Sequence, residues 1–184
     1  MSVDEKQTIW TLSNALSLAR IALLIPASYF LVSNSAMGRF YALLLIALGA
    51  LTDFFDGYFA RKFSEITDFG RILDPLADKV ALGVLALLLA WLKILPLWFV
   101  SCVLLRDILI FIGGMYIQQK KGIVVQSNWL GKWTAGILAL LIAVAVLDFP
   151  ELEATKTILL YGSLVMIILS FAAYAKRFGE LVRY

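Results

Sequence analysis

Residues 52–79 read TDFFDGYFARKFSEITDFGRILDPLADK, a run of charged and polar side chains in an otherwise apolar chain. Four of its carboxylates form two pairs, one spaced three residues apart and the other four: Asp53 with Asp56, and Asp74 with Asp78. On a helix, either spacing places both members of a pair on the same face. The pattern therefore predicts two acidic helix faces separated by a short connection.

The connection from Arg61 to Arg71 is polar and just long enough to reverse the chain. Two antiparallel helices would then hold all four acids at one end of a hairpin, residues 53–78. Neighbouring carboxylates repel unless cations hold them, and hard oxygen ligands suit Mg²⁺ or Mn²⁺. A pair of such ions would support displacement at phosphorus. The alternative is a structural network in which the acids pair with Arg61 and Arg71.

The composition indicates an integral membrane protein. Apolar residues make up 62% of the 184 residues and the mean hydropathy is +0.90, against about 45–50% apolar in soluble domains. The chain has no histidine and one cysteine, which excludes Ser-His-Asp triads, histidine-based zinc sites and an intrachain disulfide. We expect one transmembrane domain over residues 1–184, with a short interfacial segment at 1–10. Nothing in the composition indicates a nucleic-acid partner.

The apolar runs predict an all-α bundle of six transmembrane helices. The predicted helices are Leu12–Val32, a second from Phe40 into the acidic hairpin, Ile72–Leu92, a fourth from Pro96 to Ile117, Trp133–Leu147 and Thr157–Ala175. Pro75 would lie in the first turn of the third helix, where its missing N–H costs little. A polar loop, Gln118–Lys132, would separate the fourth and fifth helices.

Basic residues near the span ends predict the orientation. With the N-terminus inside, ten lie on the cytoplasmic side and three on the other. The ten are Lys6, Arg61, Lys62, Arg71, Lys120, Lys121, Lys132, Lys176, Arg177 and Arg183; the three are Arg39, Lys93 and Lys156. Both termini and a polar cavity at the hairpin would thus face the cytoplasm. If the source is bacterial, the protein would lie in the inner membrane.

The hairpin also resembles the signature of the CDP-alcohol phosphotransferases, membrane enzymes of phospholipid headgroup synthesis. Eight positions match with their spacing intact: Asp53, Asp56, Gly57, Ala60, Arg61, Gly70, Asp74 and Asp78. The resemblance implies a two-metal site for Mg²⁺ or Mn²⁺ on the four aspartates, with Asp78 also acting as the base. It implies that Gly57, Ala60, Arg61 and Gly70 contact the cytidine nucleotide of CDP-diacylglycerol; on spacing alone, the small residues fit helix packing equally well. Members of the family are commonly homodimers.

Two cations outside the hairpin are candidates for binding the acceptor. Arg106 lies deep in the fourth helix, where an unpaired guanidinium is costly. Its neighbour Asp107 points about 100° away on a helix and is expected to be a poor partner, so a phosphate on the acceptor is favoured over a buried pair. Lys132 is a similar candidate. For Asn14 and Arg20 in the first helix, capping and a structural ion pair are favoured over substrate contact.

The predicted reaction transfers a phosphatidyl group from CDP-diacylglycerol to an alcohol and releases CMP. The LDPLADK stretch and Gly131–Lys132 look most like the phosphatidylglycerophosphate synthase branch, whose acceptor is glycerol 3-phosphate. A cardiolipin synthase of this fold, using phosphatidylglycerol, is the alternative and looks similar around Arg106-Asp107-Ile108. An Asp-rich intramembrane prenyltransferase or a cation transporter fits less well, because the former spaces its acids differently and the latter binds near the midplane.

Overall fold

The computed structural model describes the backbone of residues 12–63, 68–122 and 129–183, and the side chains of residues 15–52, 80–120 and 129–181. These parts of the chain contain six α-helices, a 3₁₀ turn and no strand. The helices are α1 (Leu12–Val32), α2 (Ala36–Phe63), α3 (Asp68–Trp91), α4 (Leu97–Lys121), α5 (Trp129–Leu147) and α6 (Glu153–Arg183), with the 3₁₀ turn at Pro150–Leu152. The interfacial segment predicted at 1–10 lies outside the described residues.

A short polar turn joins α1 to α2. Asn34 takes the left-handed conformation with φ 51°, and its Oδ1 accepts a 2.6 Å hydrogen bond from Nη2 of Arg39. Ser35 caps the second helix, since its Oγ accepts a 3.0 Å bond from the backbone N–H of Gly38. A Cβ on Gly38 would lie 2.8 Å from the carbonyl oxygen of Phe30, so glycine allows the two helices to meet this closely.

Helices α1 and α2 pack antiparallel along their length. The rings of Phe30 and Tyr41 lie 5.4 Å apart near the turn. Further along, the side chain of Arg20 lies against Gly49, with Cγ 3.7 Å from the position that a Cβ there would take. Arg20 is buried, as are Ala27 and Leu31. With most of α3, these helices form one compact group.

The end of α3 and helices α4 to α6 form a second compact group. Pro96 precedes α4, and Gly122 ends it with φ 64°, the left-handed conformation that glycine adopts without strain. Thr134 of α5 donates a 3.3 Å hydrogen bond to the carbonyl of Met166, which agrees with an antiparallel α5–α6 hairpin. Two hydrogen bonds join α4 to α6 with the same separation of 64 residues, so these two helices run parallel.

The outer surface of the helices is apolar, as expected of a multi-pass membrane protein. Large side chains such as Ile25, Tyr29 and Trp91 are more than 70% exposed. In the described part of the chain, four helices are long and apolar enough to cross a bilayer: Ala15–Val32, Leu97–Lys120, Trp129–Leu147 and Pro150–Leu181. Two shorter apolar stretches, Ala36–Thr52 and Val80–Trp91, belong to the helices that enter and leave the acidic hairpin. The all-α membrane fold is therefore confirmed, whereas the count of six spans stays a prediction.

Several helix ends differ from the sequence prediction. Helix α1 has the predicted bounds, but α2 continues to Phe63 and α3 begins at Asp68, so the predicted turn from Arg61 to Arg71 is wrong at both ends. Pro75 lies in the interior of α3 and not in its first turn. Most of the helices continue past their apolar stretch, because the backbone hydrogen bonds of a helix do not require apolar side chains.

The predicted loop Gln118–Lys132 is also shorter than expected. Helix α4 extends to Lys121 and α5 begins at Trp129, which places Lys132 within the first turn of α5. The basic C-terminal residues Lys176 and Arg177 belong to α6, which continues to Arg183. The prediction that residues 1–184 form a single domain stays a prediction.

Candidate functional site

The acidic residues of the hairpin lie on two successive helices. Asp53 and Asp56 belong to α2, and Asp74 and Asp78 to α3, with unbroken helical backbone between the members of each pair. The helical spacing on which the sequence argument depends is thus present in the fold. Their side chains lie outside the described residues, so the contacts predicted for the four carboxylates stay predictions.

The other residues of the eight-position pattern are also helical. Gly57, Ala60 and Arg61 lie in the last turns of α2, and Gly70 lies in the first turn of α3. Arg61 and Gly70 were expected in a turn, and that expectation is wrong. The pattern therefore occupies the C-terminal part of α2 and the N-terminal part of α3, which residues 64–67 connect. Its nucleotide contacts stay predictions, since these side chains too lie outside the described residues.

The donor set of the hairpin suits a hard divalent cation. Its four paired aspartates offer carboxylate oxygens, and residues 53–78 contain no cysteine or histidine, which is the ligand chemistry of Mg²⁺ and Mn²⁺. Among the side chains that the structure describes, no three acidic or cysteine groups lie close enough together to hold a metal ion. Asp53, Asp56, Asp74 and Asp78 stay the predicted ligands of such an ion.

The buried side chain of Arg20 on α1 contacts α2 one helical turn before Asp53. Arg20 of α1 is 7% exposed and its side chain packs against Gly49 of α2, four residues before Asp53. The hydroxyl of Thr52 donates a 2.7 Å hydrogen bond to the carbonyl of Gly49 in its own helix. The stem of Arg20 therefore lies within van der Waals reach of the Gly49 backbone.

Arg106 of α4 has two hydrogen-bond partners. Its Nη1 lies 2.6 Å from Oδ1 of Asp107, and its Nη2 donates a 3.0 Å bond to Oγ of Ser170 on α6. The side chains of Arg106 and Asp107 are 18% and 28% exposed, whereas Ser170 is 1% exposed. Nε of Arg106 is buried and has no hydrogen-bond partner among the side chains and backbone that the structure describes. The guanidinium is thus paired with a carboxylate and hydrogen-bonded to a second helix, and 18% of the Arg106 side chain is exposed.

The expectation that Asp107 is a poor partner for Arg106 is wrong. The two Cα–Cβ directions do diverge by about 100° on the helix. The long arginine stem, however, lets the guanidinium swing back around the helix to the short aspartate, and the pair closes at 2.6 Å. This ion pair supports the alternative in which Arg106 is structural, and acceptor binding by Arg106 stays a prediction.

A second hydrogen bond joins α4 to α6 one turn further along. The hydroxyl of Tyr174 donates a 3.0 Å bond to the backbone carbonyl of Ile110. Gly113 and Gly114 make room for the tyrosine, because a Cβ at either would lie 3.3–3.4 Å from it. Sequence reasoning missed both Ser170 and Tyr174. Their four-residue spacing on α6, matched by Arg106 and Ile110 on α4, is the signal that could have indicated a shared face.

Lys132 has different surroundings from Arg106. It is exposed in the first turn of α5, with Nζ 5.5 Å from the centroid of the Trp129 ring, which is within the range of a cation–π contact. Two residues later, the one hydroxyl hydrogen of buried Thr134 is shared between the carbonyls of Leu130 at 2.7 Å and Met166 at 3.3 Å, the second of which lies on α6. The two predicted acceptor cations thus have separate partners: Arg106 is held between α4 and α6, and Lys132 lies over an aromatic ring on α5.

Known proteins resemble the chain along nearly its whole length. A family model described as CDP-alcohol phosphatidyltransferase matches residues 10–171. A CDP-diacylglycerol--glycerol-3-phosphate 3-phosphatidyltransferase of Mycoplasma pneumoniae is 28% identical over 204 residues, which cover 94% of this chain and 89% of the relative. One of the same name from Aquifex aeolicus is 34% identical over 176 residues, 92% of this chain and 96% of the relative. A CMP-forming cardiolipin synthase of Streptomyces coelicolor is 33% identical over 128 residues, 67% of this chain and 59% of the relative.

Proposed function

The chain belongs to the CDP-alcohol phosphatidyltransferase family, and we propose that it transfers a phosphatidyl group from CDP-diacylglycerol to glycerol 3-phosphate, releasing CMP. The resemblance inferred from the hairpin pattern is thereby confirmed, and the chain is an enzyme of phospholipid biosynthesis. The observation that carries the proposal is the intact eight-position pattern on α2 and α3, within a family match that spans residues 10–171.

The hairpin acids would hold the metal ions of this reaction. Asp53 and Asp56 on α2 and Asp74 and Asp78 on α3 supply oxygen ligands from two helices, which suits two Mg²⁺ or Mn²⁺ ions. Such ions neutralise the diphosphate of the donor and make its phosphorus more electrophilic. Gly57, Ala60 and Gly70 carry little or no side chain and would allow the nucleotide to approach the helix backbones closely.

Asp78 would take the proton from the acceptor. As the acceptor hydroxyl oxygen forms its bond to the phosphorus that bears diacylglycerol, the bond from that phosphorus to the bridging oxygen of CMP breaks. The hydroxyl proton passes to the Asp78 carboxylate, and CMP leaves with the bridging oxygen. The product is a phosphatidyl ester of the acceptor, so atoms and charge balance without a further reagent.

Arg106 and Lys132 would bind the phosphate of the acceptor. The guanidinium retains donors beyond those used by Asp107 and Ser170, and part of its side chain is accessible. Lys132 is exposed and adds a positive charge that no carboxylate among the described residues neutralises. Charge-assisted contacts of this kind contribute about 1.5–3 kcal/mol each.

The proposed topology has six spans, with both termini and the hairpin on the cytoplasmic side. Ten basic residues near span ends against three support this orientation. The antiparallel α1–α2 and α5–α6 hairpins, and the parallel α4 and α6, are the arrangement that successive crossings require. We also propose a homodimer, on the family resemblance.

A second candidate function is cardiolipin synthesis with phosphatidylglycerol as acceptor, which the similarity to the Streptomyces coelicolor enzyme favours. The test is CMP release by the purified protein in detergent, with CDP-diacylglycerol and either acceptor. Release with glycerol 3-phosphate supports our proposal. Release with phosphatidylglycerol alone identifies the second function, and release with neither contradicts both.

A further inference from the structure

Ser170 is almost completely buried on α6 and uses both hydrogen-bonding capacities of its hydroxyl. Oγ donates a 3.1 Å bond to the carbonyl of Ile167 in its own helix and accepts the 3.0 Å bond from Nη2 of Arg106. Because the hydroxyl hydrogen is directed at Ile167, the lone pairs of Oγ are directed away from it, toward α4. The serine is therefore fixed as an acceptor for the arginine.

The two partners of Arg106 differ in what they can do. Asp107 belongs to the same helix, so it neutralises the guanidinium but moves with it. Ser170 belongs to α6, and in the described part of the chain it is the partner that ties the guanidinium to a second helix. A neutral hydroxyl also holds the cation without cancelling its charge, unlike a second carboxylate.

We propose that Ser170 is a positioning residue that holds the Arg106 guanidinium in the orientation that binds the acceptor's phosphate. This inference rests on the proposed function, in which Arg106 contacts that phosphate. Ser170 does not touch the substrate; it limits the rotation of the arginine stem, so that binding the acceptor orders fewer bonds. Its loss should therefore weaken acceptor binding and leave CDP-diacylglycerol binding unchanged.

The chain offers two matched controls for the variant Ser170→Ala. Tyr174→Phe removes a second α4–α6 hydrogen bond, one turn away, without changing a partner of Arg106. Ser163→Ala removes a hydroxyl that is equally buried on α6 and donates to the carbonyl three residues earlier, at 2.8 Å, with no arginine involved. The first controls for loss of helix–helix contact, and the second for loss of a buried hydroxyl.

The experiment measures KM for glycerol 3-phosphate and for CDP-diacylglycerol in these three variants, in Arg106→Gln, and in the Arg106→Gln/Ser170→Ala double variant. We expect Ser170→Ala to raise the acceptor KM about 3- to 12-fold, because the freed arginine stem must then be ordered when the acceptor binds. Both controls should change it less than about twofold. In the Arg106→Gln background, Ser170→Ala should have no further effect, because the two residues act through one interaction.

Other outcomes would overturn the inference. Ser170 is structural if its variant raises both KM values alike, if Tyr174→Phe has the same effect, or if the effects of Ser170→Ala and Arg106→Gln multiply in full. An acceptor KM unchanged by Arg106→Gln overturns the acceptor role of Arg106 and this inference with it. A wild type that releases no CMP with glycerol 3-phosphate overturns the proposed function itself, which separates that failure from the others.

Discussion

Replacing Arg106 with glutamine should destabilise the protein through the carboxylate it leaves behind. In the native chain the charge of Asp107 is neutralised at 2.6 Å inside the apolar α4 span. Arg106→Gln removes the cation and strands that carboxylate. The double variant Arg106→Gln/Asp107→Asn removes both charges and should recover most of the lost stability, while acceptor binding stays impaired.

The magnitude follows from burial. Breaking a fully buried ion pair by removing one partner costs about 3–5 kcal/mol. The side chains here are 18% and 28% exposed, which reduces the cost to roughly 2–3 kcal/mol, close to the ~2.5–3.5 kcal/mol for an aspartate at the centre of a span. For a chain of this size, such a loss lowers Tm by roughly 4–12 °C.

Thermal unfolding in detergent, followed by circular dichroism, measures this effect. Lys156→Gln is the matched control, because Lys156 pairs with Glu153 at 3.1 Å and Asp148 at 3.6 Å, both well exposed. Exposed pairs contribute about 0–1 kcal/mol, so its Tm should change by less than about 4 °C. The reasoning is refuted if Arg106→Gln melts with the wild type, or if the double variant is no more stable than the single one.

Three further predictions concern the hairpin and the connection between α1 and α2. Chelation with EDTA should abolish CMP release and Mg²⁺ or Mn²⁺ should restore it, and Asp56→Asn or Asp74→Asn should be similarly inactive; full activity in EDTA contradicts the metal site. Asp78→Asn should lose about 10²–10⁴ in kcat yet still bind CDP-diacylglycerol, as expected for a general base; loss of binding as well would assign it to metal ligation alone. Gly38→Ala should lower Tm, because its Cβ would lie 2.8 Å from the backbone oxygen of Phe30. As a control, Gly162→Ala places its Cβ where nothing lies within 4 Å and should be neutral or slightly stabilising. Equal Tm values for the two variants would contradict the close α1–α2 contact.

The sequence predicted the helices better than their ends. The α1 bounds follow from the composition, because a polar Ser-Asn-Ser turn follows the apolar run at Val32. The ends of α2, α3 and α5 do not follow from the composition. An apolar stretch indicates which residues lie in the lipid, whereas these helices continue into the polar residues beside it. Charged residues such as Arg61 and Lys132 were assigned to turns for this reason.

The candidate site divides in the same way. The acidic positions are close in sequence, so helix periodicity was enough to pair Asp53 with Asp56 and Asp74 with Asp78 on their helices. The contact of Arg106 with Ser170 joins residues 64 apart, and nothing in local composition specifies which helix faces α4. The Arg106–Asp107 pair is local but was misjudged, since backbone direction does not fix where a long side chain ends.

The adjacency of Arg106 and Asp107 has a consequence for biogenesis. Ser170 lies 64 residues further along, so it has not been synthesised when α4 leaves the ribosome. The carboxylate is already there, one residue away, and the two charges can enter the bilayer as a neutral pair within a single helix. The insertion of α4 and the final orientation of the Arg106 side chain would thus occur at different times. Asp107 lowers the free-energy cost of membrane insertion, and Ser170 sets the orientation of the guanidinium once α6 has been inserted.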